Sequence, residues 1–329
     1  MSTMTALILE MNNTPMKLAE VSVPVPREGE VLVRIKASGI NPLDTKIYAG
    51  AAAHARHSLP AILGIDLAGI VEDVGSDVTG FRSGDEVYGM TGGVGGNQGS
   101  LAEYAAVDAR LLAIKPSHLT MREAAALPLI FITAWEGLVD RAAVKAGQKV
   151  LVLGGGGGVG HIAIQIAVAF GADVYAVDSA PKSDYIRSLG ATAIERSSEQ
   201  PADYVARYTD GKGFDVVYDT VGGASLDAAF QAVRKFGHVV SCLGWGSHSL
   251  APLSFKAATY SGVFTLMPLL SGEGREHHGD IMREATKLVD AGKIIPKLDS
   301  RSFGLDDVQD AYALIEHRLA NGKLVVDIR

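Results

Sequence analysis

Gly155-x-Gly157-x-x-Gly160 follows the apolar run Val150-Leu151-Val152-Leu153 and opens a stretch from Val159 in which Ile162, Ala163, Ile166 and Phe170 recur at helical spacing. Residues without a Cβ permit a tight turn and let backbone N–H groups approach a pyrophosphate, while a helix N-terminus adds partial positive charge. Five consecutive glycines, Gly154 to Gly158, match such patterns by chance, so the weight lies in the strand before and the helix after. The chemistry is dinucleotide binding, with Gly155, Gly157, Gly158, Val159 and Gly160 at the phosphates.

Asp178 closes the next apolar run, 18 residues after Gly160, close to the spacing of a ribose-binding acid. A carboxylate there accepts hydrogen bonds from a 2′-hydroxyl and favours NADH. A 2′-phosphate about 5 Å away would meet ~3 kcal/mol of repulsion per unit charge at an effective dielectric of about 20. Ser179, Lys182 and Arg196 lie where a 2′-phosphate would sit and favour NADPH instead. These residues leave both coenzymes open. The other glycine tract, Gly92 to Gly99, precedes an extended stretch, lacks a helix dipole and reads as a plain surface loop, the alternative being a mobile loop beside the substrate cleft. His54-x-x-His57 and His277-His278 come without cysteine or carboxylate clusters and read as loop residues rather than a metal site; His161 reads as packed.

These groups need a scaffold, and the hydrophobic pattern supplies one in two styles. Val31, Val33, Ile35 and Ala37 alternate with Leu32, Arg34, Lys36 and Ser38, the period of a half-buried strand. Short apolar runs at Ile70–Val74, Glu86–Tyr88, Leu101–Val107 and Leu111–Ile114 predict a small barrel or sandwich. From about residue 148 the rhythm changes. Strands at 150–153, 174–177, 192–194, 216–218 and 239–243 alternate with helices from 159, at 184–189, near 202–208 and at 226–233. This α/β order predicts a doubly wound parallel sheet covered on both faces. Two amphipathic helices follow, one carrying Ile281, Ala285, Leu288 and Val289, the other Val308, Ala311, Tyr312, Ile315 and Leu319. A last strand, Leu324–Ile328, can return to the first region. The expected domains are 1–127 with 266–329, interrupted by a nucleotide-binding domain at 128–265.

Composition narrows the classes. The chain has 329 residues, 30 basic and 37 acidic, with a net charge of −7. Its 47% hydrophobic and 20% charged residues exclude a disordered chain. Without a basic block, nucleic acid is not an expected partner. The single cysteine, Cys242, excludes a disulfide framework and a thiolate-rich zinc site, and predicts a reducing, cytoplasmic compartment. No apolar run reaches the ~18 residues of a membrane span, and the first residues lack the basic region of a signal peptide.

Several short segments follow one another in a distinctive order: Gly39-Ile40-Asn41-Pro42-Leu43-Asp44, Leu63-Gly64-Ile65-Asp66-Leu67-Ala68-Gly69, Gly84-Asp85-Glu86-Val87-Tyr88, and Ala126-Leu127-Pro128 with Thr133-Ala134-Trp135. The glycine turn, Asp219-Thr220-Val221-Gly222-Gly223 and Gly322-Lys323 complete the series. Together they resemble the zinc-independent quinone oxidoreductase-like branch of the medium-chain dehydrogenase/reductase superfamily, over essentially the whole chain. The resemblance implies a GroES-like, β-rich catalytic domain plus a Rossmann domain, with the active site in the cleft between them. It also implies a homodimer and NADPH-dependent reduction of quinones or α,β-unsaturated carbonyls. Zinc-dependent relatives carry Cys where this chain has Asn41, His-Glu where it has Ile65-Asp66, and a four-cysteine lobe near Gly92 to Gly99. Zinc requires deprotonated ligands in tetrahedral array, so the resemblance implies no zinc here.

The same resemblance places Asn41 near the nicotinamide, Thr133 beside its carboxamide, and Ser179 and Lys182 at the 2′-phosphate. Val221, Leu243 and Gly244 join the cofactor contacts. Lys46 stands where many quinone oxidoreductases have tyrosine and some alkenal-reducing relatives have lysine, which favours enones; Arg196 also replaces a common tyrosine. Hydride addition to an enone β-carbon builds negative charge on the carbonyl oxygen, which donors must stabilise or a proton must quench. Lys46, Tyr48 and the Asn41 amide are the candidates, with Asp44 orienting Lys46. Alternatively Asp44 only holds its loop, Tyr48 only packs, and the rate comes from holding the hydride donor against the enone. Two rival readings are an enoyl-thioester reductase of the same fold and a protein that holds NADPH without efficient catalysis.

Overall fold

The alternation at 31–37 is used as a strand, with Val31, Val33, Ile35 and Ala37 buried; on the other face Arg34 and Lys36 are partly covered, while Leu32 and Ser38 are buried as well. That strand, Glu30–Gly39, is the longest of its sheet. In the computed structural model, which describes residues 2–329, it pairs antiparallel with Asp66–Val74, Tyr104–Asp108 and Val325–Asp327. Glu86–Met90 and Leu112–Ile114 extend the sheet beyond Asp66–Val74. The last strand therefore does return to the first region. These elements lie in a unit made of the chain up to Leu129 together with Leu266–Arg329. The helix Arg275–Asp290 packs on this sheet, and the buried Tyr88 hydroxyl donates to the Met282 carbonyl at 3.0 Å.

Three details depart from the sequence reading. A hairpin of Thr3–Leu9 and Lys17–Ser22, with Ala61–Ile62 on its other side, forms a separate small sheet. The strand expected from Leu101 starts at Tyr104, because Leu101 instead offers its carbonyl to the Leu7 amide at 2.9 Å. The last amphipathic helix is Val308–Glu316, so Leu319 lies beyond its end and is exposed.

The second unit, Ile130–Thr265, is built on six parallel strands. Their order is Thr192–Glu195, Asp173–Asp178, Lys149–Leu153, Phe214–Asp219, Val233–Ser241 and Thr259–Gly262. Leu151, Leu153, Val177, Ile194, Phe214, Val217 and Val239 form part of its core, against Tyr204, Leu226 and Phe230 from the crossover helices. The sixth strand is invisible to a hydrophobicity scan because Thr-Tyr-Ser-Gly at a sheet edge carries little apolar pattern. The connection from Lys149–Leu153 goes to one side of the sheet and Phe214–Asp219 lies on the other. Between them is the switch point where open α/β sheets bind ligands.

Candidate functional site

At that switch point Lys149–Leu153 runs into Gly154, whose φ of +84° suits glycine. Close packing fixes its neighbours. A Cβ on Gly155 would lie 2.6 Å from the Ala176 Cβ, and one on Gly160 only 2.1 Å from the Gly154 carbonyl oxygen. Gly157 caps the helix Gly158–Ala169, and its carbonyl accepts from the His161 amide at 3.1 Å and faces His161 Nδ1 at 2.9 Å. The helix begins with Gly158 and Val159, and its first amides open towards the end of the sheet. A strand end, a glycine bend and a twelve-residue helix are the parts a diphosphate cradle requires.

Asp178 ends its strand with the carboxylate turned back on this bend. Oδ2 accepts from the Gly156 amide at 2.8 Å, Oδ1 accepts from the Ser179 amide at 2.7 Å, and Lys182 Nζ stands 3.6 Å away. The Arg196 amide donates to the Asp178 carbonyl at 2.9 Å. The four residues that the sequence assigns to the ribose end are therefore brought together. Two amides and an ammonium share the Asp178 charge, so a phosphate there would meet less repulsion than a bare carboxylate offers. A groove of about 370 Å³, within the size range of ligand sites, is lined by Leu153, Gly154, Asp178, Arg196, Val221 and Gly222.

The opposite side of the groove is held by a residue the sequence reading quotes but gives no role. Buried Asp219 accepts from the amides of Val221 (3.2 Å) and Gly222 (3.1 Å) and from Ser241 Oγ at 2.8 Å. Ser241 Oγ in turn accepts from the Leu243 amide at 3.1 Å, and a Cβ on Gly244 would strike the Tyr260 hydroxyl at 2.2 Å. Val221, Leu243 and Gly244 thus sit on loops tied to one carboxylate. Thr133 is buried, with Oγ1 3.0 Å from Thr265 Oγ1, and its carbonyl accepts from the Tyr218 hydroxyl at 2.6 Å, just before the helix loosens into the π-helical turn Glu136–Arg141. Burial pushes the Cys242 thiol up to about 12, which leaves it without nucleophilic character at neutrality.

In the first unit, Asn41 caps the short helix Pro42–Tyr48, a start favoured by Asn before Pro. The Asn41 backbone amide donates to Asp44 Oδ2 at 2.8 Å. Its side chain is fully buried. Asn41 Nδ2 donates to Asp66 Oδ2 at 2.9 Å, and Oδ1 accepts from the Lys323 ammonium. Lys323 Nζ also donates to the Ile40 carbonyl at 2.8 Å and lies 3.7 Å from Asp66 Oδ2. Asp66 Oδ1 accepts from the Leu129 amide at 2.9 Å. Burial, helped by the Asp66 charge, raises the Asp44 carboxyl to about 7, and burial raises Asp66 to about 6 against the pull of Lys323. Burial also lowers the Lys323 ammonium.

Asp44 does not orient Lys46. Residues two apart on a helix point about 200° from each other, so Asp44 is buried while Lys46 is exposed and forms no ion pair among the described residues. Asp44 is instead a fixture of the Asn41 cap. Tyr48 is half-buried, packed edge-on against Tyr312 with ring centroids 5.8 Å apart, and its hydroxyl accepts from Gln309 Nε2 at 3.1 Å. Sequence reasoning misses Asp66 and Lys323 as parts of the site. Both lie in the quoted segments, yet only the fold carries Lys323 to an asparagine 282 residues away. Among the described residues no group of three or more His, Cys, Asp or Glu is arranged to hold a metal ion, and no helix is long and apolar enough to cross a membrane.

With this geometry in hand, the comparisons with known proteins are specific. The family model described as the alcohol dehydrogenase GroES-like domain matches residues 27–117, and the one described as zinc-binding dehydrogenase matches 158–276. A 2-methylene-furan-3-one reductase of Solanum lycopersicum is 37% identical over 94% of this chain and 74% of its own length. The chloroplastic NADPH-dependent alkenal/one oxidoreductase of Arabidopsis thaliana is 36% identical over the same shares. The crystal structure of an alcohol dehydrogenase superfamily protein from Novosphingobium aromaticivorans superposes with a TM-score of 0.98 at 58% identity, covering 99% of this chain and 100% of that one.

Proposed function

Because the chain belongs to the medium-chain dehydrogenase/reductase superfamily, in its quinone oxidoreductase-like branch, we propose that it reduces quinones or the activated C=C bond of α,β-unsaturated carbonyls with NADPH and without zinc. The observation that carries this reading is the similarity, along nearly the whole chain, to two reductases named for methylene-furanone and alkenal/one substrates. When bound, the dinucleotide supplies the hydride. The chain's own part begins with the glycine bend, whose amides and helix end hold the diphosphate. Ser179, Lys182 and Arg196 hold the adenosine ribose and its phosphate. Asn41 and Thr133 position the nicotinamide end. Lys46 and Tyr48 supply donors for the oxygen on which charge develops.

Asn41, Ile65 and Asp66 do not fit a zinc ion. Zinc asks for thiolate, imidazole or free carboxylate donors, whereas here an amide and an isoleucine replace two of them and a buried ammonium already lies against the carboxylate. A homodimer in a reducing compartment completes the reading, supported by the family resemblance and by the single thiol.

Oxidation of NADPH in the presence of a 2-alkenal or 1,4-benzoquinone tests the proposal. Turnover with at least one of them is expected. Tight dinucleotide binding with no turnover on either would favour the non-catalytic alternative. Asp178→Ser should raise kcat/KM for NADPH relative to NADH by about tenfold, less than the ~100-fold a bare carboxylate would imply. An unchanged ratio would mean that the Asp178 charge is not felt at the 2′-position. Lys46→Met should lower kcat on alkenals about tenfold while leaving dinucleotide affinity intact; unaltered kcat removes Lys46 from the site.

A further inference from the structure

We infer that Lys323 and Asp66 are positioning residues for the Asn41 carboxamide, sorting its two ends and so holding the buried layer behind the ligand in one arrangement. The inference rests on the placement of Asn41 beside the nicotinamide proposed above. A carboxamide has two ends of nearly equal size and opposite hydrogen-bonding character, so its orientation is decided by its partners. Lysine offers donors only, and an ionised carboxylate offers acceptors only. Lys323 Nζ meets Oδ1, and Asp66 Oδ2 meets Nδ2 at 2.9 Å. The reversed amide would set NH2 against ammonium and carbonyl oxygen against carboxylate, losing both bonds and adding two repulsions.

The clamp is itself anchored. Ile40 and Leu129 hold Lys323 and Asp66 by backbone bonds of 2.8 and 2.9 Å, and all three side chains of the clamp are at most 6% exposed. Burial makes the sorting strong, because hydrogen bonds to charged groups gain in a dry site. A purely structural ion pair would not need an amide threaded between its charges, since direct Lys–Asp contact is shorter than the 3.7 Å seen here.

Removing one charge alone would leave the other buried and unpaired, with risk to folding. The test therefore removes both, as Lys323→Met with Asp66→Asn, and compares this pair variant with Asn41→Ala and with the triple variant. Thermal unfolding confirms that each is folded, fluorescence titration gives the NADPH affinity, and the side-chain amide signals of Asn41, assigned by their loss in Asn41→Ala, report its environment. The pair variant should lower kcat on a 2-alkenal about 10- to 100-fold, leave NADPH affinity within about twofold and shift the Asn41 amide signals. The triple variant should be no slower than Asn41→Ala, because both changes act through one amide. Wild-type kcat in the pair variant, or losses that multiply in the triple, would overturn the inference while the functional reading stands. Wild-type kcat in Asn41→Ala would remove Asn41 from the nicotinamide site and overturn this inference, while turnover of the alkenal itself still upholds the functional reading.

Discussion

Gly160→Ala is expected to abolish useful dinucleotide binding, raising the NADPH dissociation constant at least about 100-fold. The added Cβ would lie 2.1 Å from the Gly154 carbonyl oxygen and 2.8 Å from its carbon, both backbone atoms that cannot swing aside. Relief requires the helix start to move off the strand end by about 1 Å, which carries the phosphate-facing amides out of hydrogen-bond range. Overpacking of this kind costs about 3 kcal/mol of stability as well. Gly158→Ala is the control, because its Cβ meets nothing nearer than Ile130 Cγ2 at 3.5 Å. That variant should keep stability within about 1 kcal/mol. Equal behaviour of the two variants in denaturant and in NADPH titration would mean that the bend does not depend on this close approach.

Asp44→Asn should stabilise the protein by on the order of 4 kcal/mol at pH 8 and by less than half of that at pH 5. In the unfolded chain the carboxyl loses its proton in the ordinary range around 3.8, whereas burial holds the proton in the folded state up to about 7. Between those values the folded state binds more protons, so raising the pH favours unfolding. Asp66, raised to about 6, acts in the same direction. Asp108 and Asp299 are lowered and act oppositely, but only below about pH 4. Among its neighbours, the Lys323 ammonium favours the ionised form and the Asp66 carboxylate disfavours it. Asp44 Oδ1 and the Tyr312 hydroxyl have no hydrogen-bond partner among the described residues, so an amide in place of the protonated acid leaves nothing unpaired that was paired. Denaturation at both pH values decides the matter: a gain of equal size at each would show that Asp44 is ionised throughout.

Much of the nucleotide-binding half was legible because its signals are local. The bend at Gly155–Gly160 has its strand and helix on either side, and Asp178 follows at a spacing set by one helix and one strand. The helix Pro42–Tyr48 is absent from the sequence reading, since seven residues give too little periodicity. The role given to Asp44 failed for the same reason. Its neighbour in sequence, Lys46, is not its neighbour on a helix, while its real surroundings, Asp66 and Lys323, come from a sheet and the last turn of the chain. Nothing local distinguishes Lys323 from an ordinary surface lysine. Its burial follows from the pairing of Val325–Asp327 with Glu30–Gly39.

That pairing also orders events in time. A ribosome releases the glycine-bend unit complete once Thr265 has emerged, although the other unit was begun first. The older half must wait with the Ala37–Gly39 end of its long strand unpaired on one side until Val325–Asp327 arrives, and Asn41 waits with it for its cation. What starts first in this chain is therefore the last to close.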